Sequence, residues 1–81
     1  MNVTVHFYSY FKELTGCAET TEAVAPGCSV GELHRALIAR FPKLGAMEKS
    51  TLIAVGLEYQ PRHYVLKEGE EVSLFPPVQG G

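Results

Sequence analysis

The stretch SVGELHRALIARFP, residues 29–42, limits the architecture more than any other part of this sequence. It is the one long segment with helical periodicity. Ser29 and Glu32 stand in the S-x-x-E spacing of a capping box, which satisfies orphan backbone donors at a helix start. Val30, Leu33, Leu37 and Phe41 recur on one stripe with Ile38 beside it, while Glu32, Arg35 and Ala39 fall opposite. Pro42 closes the segment, because a residue before proline resists the α region. His34 lies at the edge of the stripe and reads as a packed border residue rather than a ligand or an acid–base group. A lone helix covers one face of a sheet, so the other face is left for water or a partner.

The flanking segments supply that sheet. NVTVHFY, residues 2–8, alternates: Val3, Val5 and Phe7 point one way, and Asn2, Thr4, His6 and Tyr8 the other. SYFKELTG breaks the alternation and ends on Gly16, which predicts a short helical turn or a loop. ETTEAVA, closed by Pro26-Gly27, completes a hairpin with the first strand. TLIAVG is a third strand ending on Gly56, and EYQPRHYVL holds at most a brief one, kept at an edge by Pro61. KEGEEV turns around Gly69, its glutamates reading as a solvated turn, and EVSLFP is the last strand. The expectation is an α+β fold: a mixed sheet of four to five strands packed on one main helix, with an extended C-terminal tail. Residues 1–76 form the folded domain and 77–81 a flexible Gly-Gly tail. Eighty-one residues bury only about 60% of the surface their unfolded chain exposes, enough for one modest core.

Alternation also places the aromatic residues. Val72 and Leu74 share a face, so Ser73 and Phe75 take the other. With Val72 and Leu74 against the helix, Phe75 stands on the open side, as does Tyr8. Exposed aromatics gathered at one end predict a binding patch.

Several functions are excluded by what the chain carries. The net charge is −2 and its seven Lys and Arg are scattered, so no basic stripe exists to replace phosphate counterions, and nucleic acid is not expected as a partner. No apolar run is long enough to cross a bilayer and Met1 leads into alternating residues rather than a signal sequence, so a cytoplasmic location without membrane contact is expected. Cys17 and Cys28 form no CxxC pair, and no ligand spacing suggests a metal site. Cys28 precedes the helix, where a dipole lowers a thiol pKa; the plainer role is a hydrophobic staple on Leu33. Without any Asp no Ser-His-Asp triad exists, and His6, His34 and His63 are spread apart. The chemistry is therefore not expected in the folded body.

The tail FPPVQGG, residues 75–81, is different. Pro76 and Pro77 fix φ and hold an extended path away from the sheet. The five residues from Pro77 to Gly81 reach roughly 16 Å when extended. Gly80 and Gly81 have no side chains and pass a narrow channel, and the carboxylate at the tip is ionised, its ordinary pKa being about 3.3–3.7. Delivered into another protein's active site, that carboxylate can attack ATP and become an acyl-adenylate, which accepts sulfur or passes to an amine.

In this tail, in the order of elements and in length, the chain resembles the MoaD/ThiS sulfur-carrier family, and within it the small subunits of molybdopterin synthase. KELTG (12–16), SV-x-EL (29–33) and EGEEV with FPPV-x-GG (68–81) are similar to that family's landmarks. The resemblance implies a ubiquitin-like β-grasp fold and a carrier that works through the carboxylate of Gly81, with Gly80 beside it. An E1-like adenylyltransferase is implied to spend the ATP, with no cofactor bound by this chain. Sulfur then makes a thiocarboxylate, which donates to a cyclic pterin precursor in the large synthase subunit, in a heterotetramer. Phe75, Tyr8 and Tyr59, with Pro76, Pro77 and Val78, are implied to bind the partners. Lys12, Glu68, Glu70 and Gly56 depart from the usual family residues, and Gly56 leaves the geometry of its turn open. A carrier for thiamine or cysteine biosynthesis, and a ubiquitin-like modifier joined to lysines, remain the alternatives on sequence.

Overall fold

Two strands lie side by side at the centre of the sheet and run parallel: β1 (Asn2–Phe7) and β5 (Glu71–Phe75), with Val5 opposite Val72 and Phe7 opposite Leu74. The computed structural model describes residues 1–77. β2 (Glu19–Ala23) flanks β1 antiparallel, and β3 (Leu52–Val55) flanks β5 antiparallel. The two-residue β4 (Glu58–Tyr59) forms the far edge, giving the order β2-β1-β5-β3-β4. This is the ubiquitin-like β-grasp arrangement, a five-stranded mixed sheet in an α+β fold.

The predicted helix is α2 (Val30–Arg40), introduced after the short α1 (Tyr10–Thr15). Its capping box is formed: the Glu32 N–H donates to Ser29 Oγ at 3.2 Å and the Ser29 N–H to Glu32 Oε1 at 3.0 Å. Those bonds to Ser29 hold the Glu32 carboxyl below its ordinary pKa. Val30, Leu33 and Leu37 meet Val3, Val5, Phe7, Ile53, Val55, Val72 and Leu74 from the sheet, and Phe11, Leu44 and Leu66 close the ends of the core. Each such side chain contributes about 1.5–3 kcal/mol by leaving water. At the outer edge of β2, Arg40 of α2 donates to the Thr21 carbonyl at 3.2 Å and to Thr20 Oγ1 at 3.0 Å, and pairs with Glu22. A covered edge is a poor template for a further strand.

One feature settles an alternative left open by the sequence, and two depart from the expectation or were absent from it. SYFKELTG resolves into helix α1 because Phe11 is driven fully into the core, and Gly16 ends it in the left-handed region at φ 78°. Residues Pro42–Ser50, unassigned on sequence, make a 3₁₀ segment kinked at Met47 that buries Leu44. His34 is not a border residue: it is 1% exposed. A strap, residues 61–65, crosses the start of α2, with Gly31 N–H donating to the Arg62 carbonyl and Val30 N–H to that of Tyr64, both at 2.9 Å. Arg62 then donates to His34 Nδ1 at 3.0 Å and reaches the Glu48 carbonyl of the 3₁₀ segment. Periodicity within α2 carries no information about a strap arriving from another part of the chain.

Candidate functional site

The open face of the sheet is the side away from α2. Because β1 and β5 are parallel and in register, the residues that follow or end them emerge together. The Tyr8 N–H donates to the Leu74 carbonyl at 3.3 Å, which extends the ladder by one residue and sets Tyr8 beside Phe75. Their rings stack, 4.8 Å between centroids and 10° from parallel. Tyr59 from β4 presents its edge to Phe75 at 6.1 Å and 77°. Offset stacks and edge contacts of this kind are worth about 0.5–1.5 kcal/mol each beyond area burial.

The patch stays open despite these contacts. Tyr8 is 42% exposed and Tyr59 66%, while Phe75 is half-buried between them. Small residues make the floor: Ala54 lies opposite both Tyr59 and Ser73. With Gly56 and Leu57 these residues line a groove of about 290 Å³. Leu57 stands fully exposed at the tip of the two-residue turn between β3 and β4. Gly56 takes φ 62° there, at the first central position, where tight hairpins of the II′ kind need glycine. The turn geometry left open by Gly56 is thus a glycine-specific one.

Tyr8 is fixed from its other side as well. The Phe11 N–H donates to the Tyr8 carbonyl at 3.0 Å, closing a turn in which Ser9 has φ 51° and ψ −130°. That conformation favours glycine, and a serine held in it marks stored strain next to the patch.

Below Tyr8 the same face turns polar. His6 lies between two carboxylates, with Nε2 2.7 Å from Glu71 Oε1 and Nδ1 3.5 Å from Glu19 Oε1. Its ring is 6.4 Å from that of Tyr8.

The structure therefore brings Tyr8, Phe75 and Tyr59 into one cluster. Pro76 and Pro77, half-buried, follow directly from Phe75 at its edge. Val78, Gly80 and Gly81 lie outside the described residues. Ser73 lies on the same face, as alternation placed it, and Leu57, Leu52 and Ala54, which were not singled out on sequence, belong there too. The signal available for Leu57 was its place after a glycine between two short strand segments.

Other candidates separate from this site. Cys28 packs against the core at the mouth of a second depression of about 320 Å³, shared with Pro26, Gly27, Glu32 and Ala36. Burial first, then the Glu32 and Glu22 carboxylates, push its thiol pKa up. This overrides the helix dipole and leaves Cys28 as a packing residue. Both cysteines are free thiols. Among the described residues no group of three or more His, Cys, Asp or Glu is placed to hold a metal ion, and no helix is long and apolar enough to cross a membrane.

The chain is similar to known proteins over its whole length. A model described as the ThiS family matches residues 5–81. A protein of Chlamydomonas reinhardtii named molybdopterin synthase sulfur carrier subunit is 31% identical, with all of both chains covered. The solved complex of subunits 1 and 2 of the molybdopterin-converting factor from Helicobacter pylori contains a chain 28% identical, covering all of both chains with a TM-score of 0.71. SAMP1 from Haloferax volcanii, 21% identical, covers all of both chains with a TM-score of 0.89 and shares the fold.

Proposed function

The chain belongs to the ThiS family, and we propose that it is the sulfur-carrier small subunit of a molybdopterin synthase. The observation that carries the reading is the Tyr8–Phe75–Tyr59 cluster at the root of the segment leading to Gly80 and Gly81. A partner that seats this patch has the tail directed into its own active site by Pro76 and Pro77. The 31% identity to a protein named as such a carrier supports the same assignment.

In this reading the Gly81 carboxylate attacks the α-phosphorus of ATP within an E1-like adenylyltransferase, and pyrophosphate leaves. Hydrosulfide from a sulfur donor displaces AMP from the acyl carbon and loses its proton, leaving a thiocarboxylate. The thiocarboxylate sulfur attacks a carbon of the cyclic pterin precursor held by the large subunit, and the oxygen substituent on that carbon leaves with the bonding electron pair. Water then cleaves the acyl–sulfur bond to restore the carboxylate and free the pterin thiolate. The chain contributes the carrier group and the docking face; the partners contribute the catalytic side chains and bind ATP and pterin.

The test is the mass of the C-terminal peptide isolated from its own cells. Replacement of one oxygen by sulfur adds about 16 Da, which must be localised to Gly81 because oxidation of Met1 or Met47 adds as much. Sulfur at Gly81 is the expected result. A terminus joined only to lysines of other proteins would refute the carrier role in favour of a modifier.

A further inference from the structure

The sheet carries charge of one sign. Of the seven Lys and Arg, none lies in a strand: Lys12 is in α1, Arg35 and Arg40 in α2, and the rest in the 3₁₀ segment and the strap region. The acidic strand residues are Glu19, Glu22, Glu58 and Glu71. Glu22 is taken by Arg40. Glu19 and Glu71 project on the open face, on the two sides of His6 and next to the aromatic cluster.

The balance at His6 is uneven. One imidazole offers at most two N–H groups and one positive charge to two carboxylates, and those carboxylates remain 62% and 65% exposed. At least one negative charge and several acceptor lone pairs are left to water. A partner that covers Tyr8 and Phe75 also strips water from this neighbouring cluster. Taking an ionised carboxylate out of water costs several kcal/mol unless the partner returns hydrogen-bond donors and charge. A purely apolar docking surface therefore does not match this face.

We propose that the protein docked on the open face presents an arginine or lysine beside its apolar depression, and that this cation lies against Glu19 and Glu71 while the depression takes Tyr8, Phe75 and Leu57. The inference rests on the docking role proposed above and names the chemistry of the surface that fills it. The guanidinium or ammonium adds donors where His6 leaves acceptors unfilled. Before contact, the acidic strip and the cation attract one another and orient the approach, so the effect falls mainly on the association rate.

The test uses the full chain and the large molybdopterin synthase subunit encoded by the same genome, with association measured by stopped flow at low and high salt. The double variant Glu19→Gln, Glu71→Gln keeps side-chain shape and removes both charges. It should associate roughly tenfold more slowly at low ionic strength, and the gap should close near 0.5 M salt, where the Debye length shrinks to about 4 Å. A charge-matched double variant off the sheet, Glu13→Gln with Glu32→Gln, should stay close to the native rate. Equal rates for native chain and face variant at low salt overturn the inference while leaving the docking role intact. An equal loss in both double variants assigns the effect to net charge and overturns it too. A native chain that does not bind at all overturns the proposed function and this inference with it.

Discussion

His34 makes the stability of this fold depend on pH in a way its position on α2 did not foretell. Burial, then the Arg62 guanidinium, push its pKa from the ordinary 6.5 down to about 4, with Glu48 opposing weakly. Arg62 is only a donor, so Nδ1 accepts at 3.0 Å and the proton of the neutral ring sits on Nε2, which is buried without a partner among the described residues. Protonation would set a second cation and a second donor against Arg62. The folded chain therefore resists the proton, while the unfolded chain takes it from pH 6.5 downward. Stability from this group is complete above pH 6.5, declines as pH falls towards 4, and levels below that. Two and a half pH units at about 1.4 kcal/mol each make about 3 kcal/mol between those limits. A domain of this length has roughly 4–12 kcal/mol in total, so the loss is a large share.

Other groups titrate over the same range, so the comparison must isolate His34. The variant His34→Asn keeps an acceptor near the Nδ1 position and cannot be protonated. Urea unfolding at pH 7.5, 6, 5 and 4 gives the stability of both proteins at each pH. Asparagine leaves a gap in the core and should be the less stable form at pH 7.5. The difference between the two should then shrink by about 3 kcal/mol on the way to pH 4, because only the native chain loses the His34 contribution. A difference that stays constant across the four pH values would refute the argument that burial and Arg62 hold this ring neutral.

Further expectations follow from the site. Ser9→Gly should raise stability by about 0.5–1 kcal/mol, since relief of a conformation costing about 1–3 kcal/mol exceeds the entropy that glycine adds to the unfolded chain. A melting temperature higher by roughly 2–8 °C is the readout, and a lower one would show that Ser9 is unstrained. Phe75→Ala should weaken binding of the large synthase subunit by about 1–3 kcal/mol in a calorimetric titration, the loss typical of an interface anchor. Unchanged affinity would remove Phe75 from the docking face. Deletion of Gly81 should abolish thiocarboxylate formation with ATP, activating enzyme and sulfur donor; a product formed by the shortened chain would place the reactive group elsewhere.

How much of this was legible depended on the range over which each signal acts. Strand alternation is local, and it is enough to place Val3, Val5 and Phe7 inward and Tyr8 and Phe75 outward without knowledge of which strands pair. The capping box is local too, with both partners within three residues. The strap over His34 joins residues 28 apart, and nothing in either segment marks the meeting. The 3₁₀ segment buries only Leu44, too little apolar content for a periodicity to register. The Glu19–His6–Glu71 group joins three strands, one of them 65 residues away from His6 in sequence, so its existence waited on the register of the sheet.

That register also explains why one end of the molecule gathers the site. Tyr8 follows β1 and Phe75 ends β5, so the two rings meet only if these strands run parallel with their C-terminal ends level. An antiparallel pairing would send Tyr8 to the opposite edge, about 17–20 Å away for strands of this length. A parallel pair needs a long connection, and here residues 8–70 supply it: β2, α2 and β3 are all threaded between the two central strands. The helix in that connection buries one face of the sheet and gives the fold its core. The opposite face is not covered by a helix, so it can hold stacked aromatics and acidic side chains that a core would reject. Substitutions there are expected to alter partner binding with little effect on melting temperature, and those on the α2 side to do the reverse. Measuring both quantities for Tyr59→Ala and Leu37→Ala tests that division directly. Leu37→Ala should cost about 2–5 kcal/mol of stability, whereas Tyr59, two-thirds exposed on a two-residue edge strand, should cost far less. A comparable loss of stability at both positions would show that the open face also supports the fold and that the two roles are not separated.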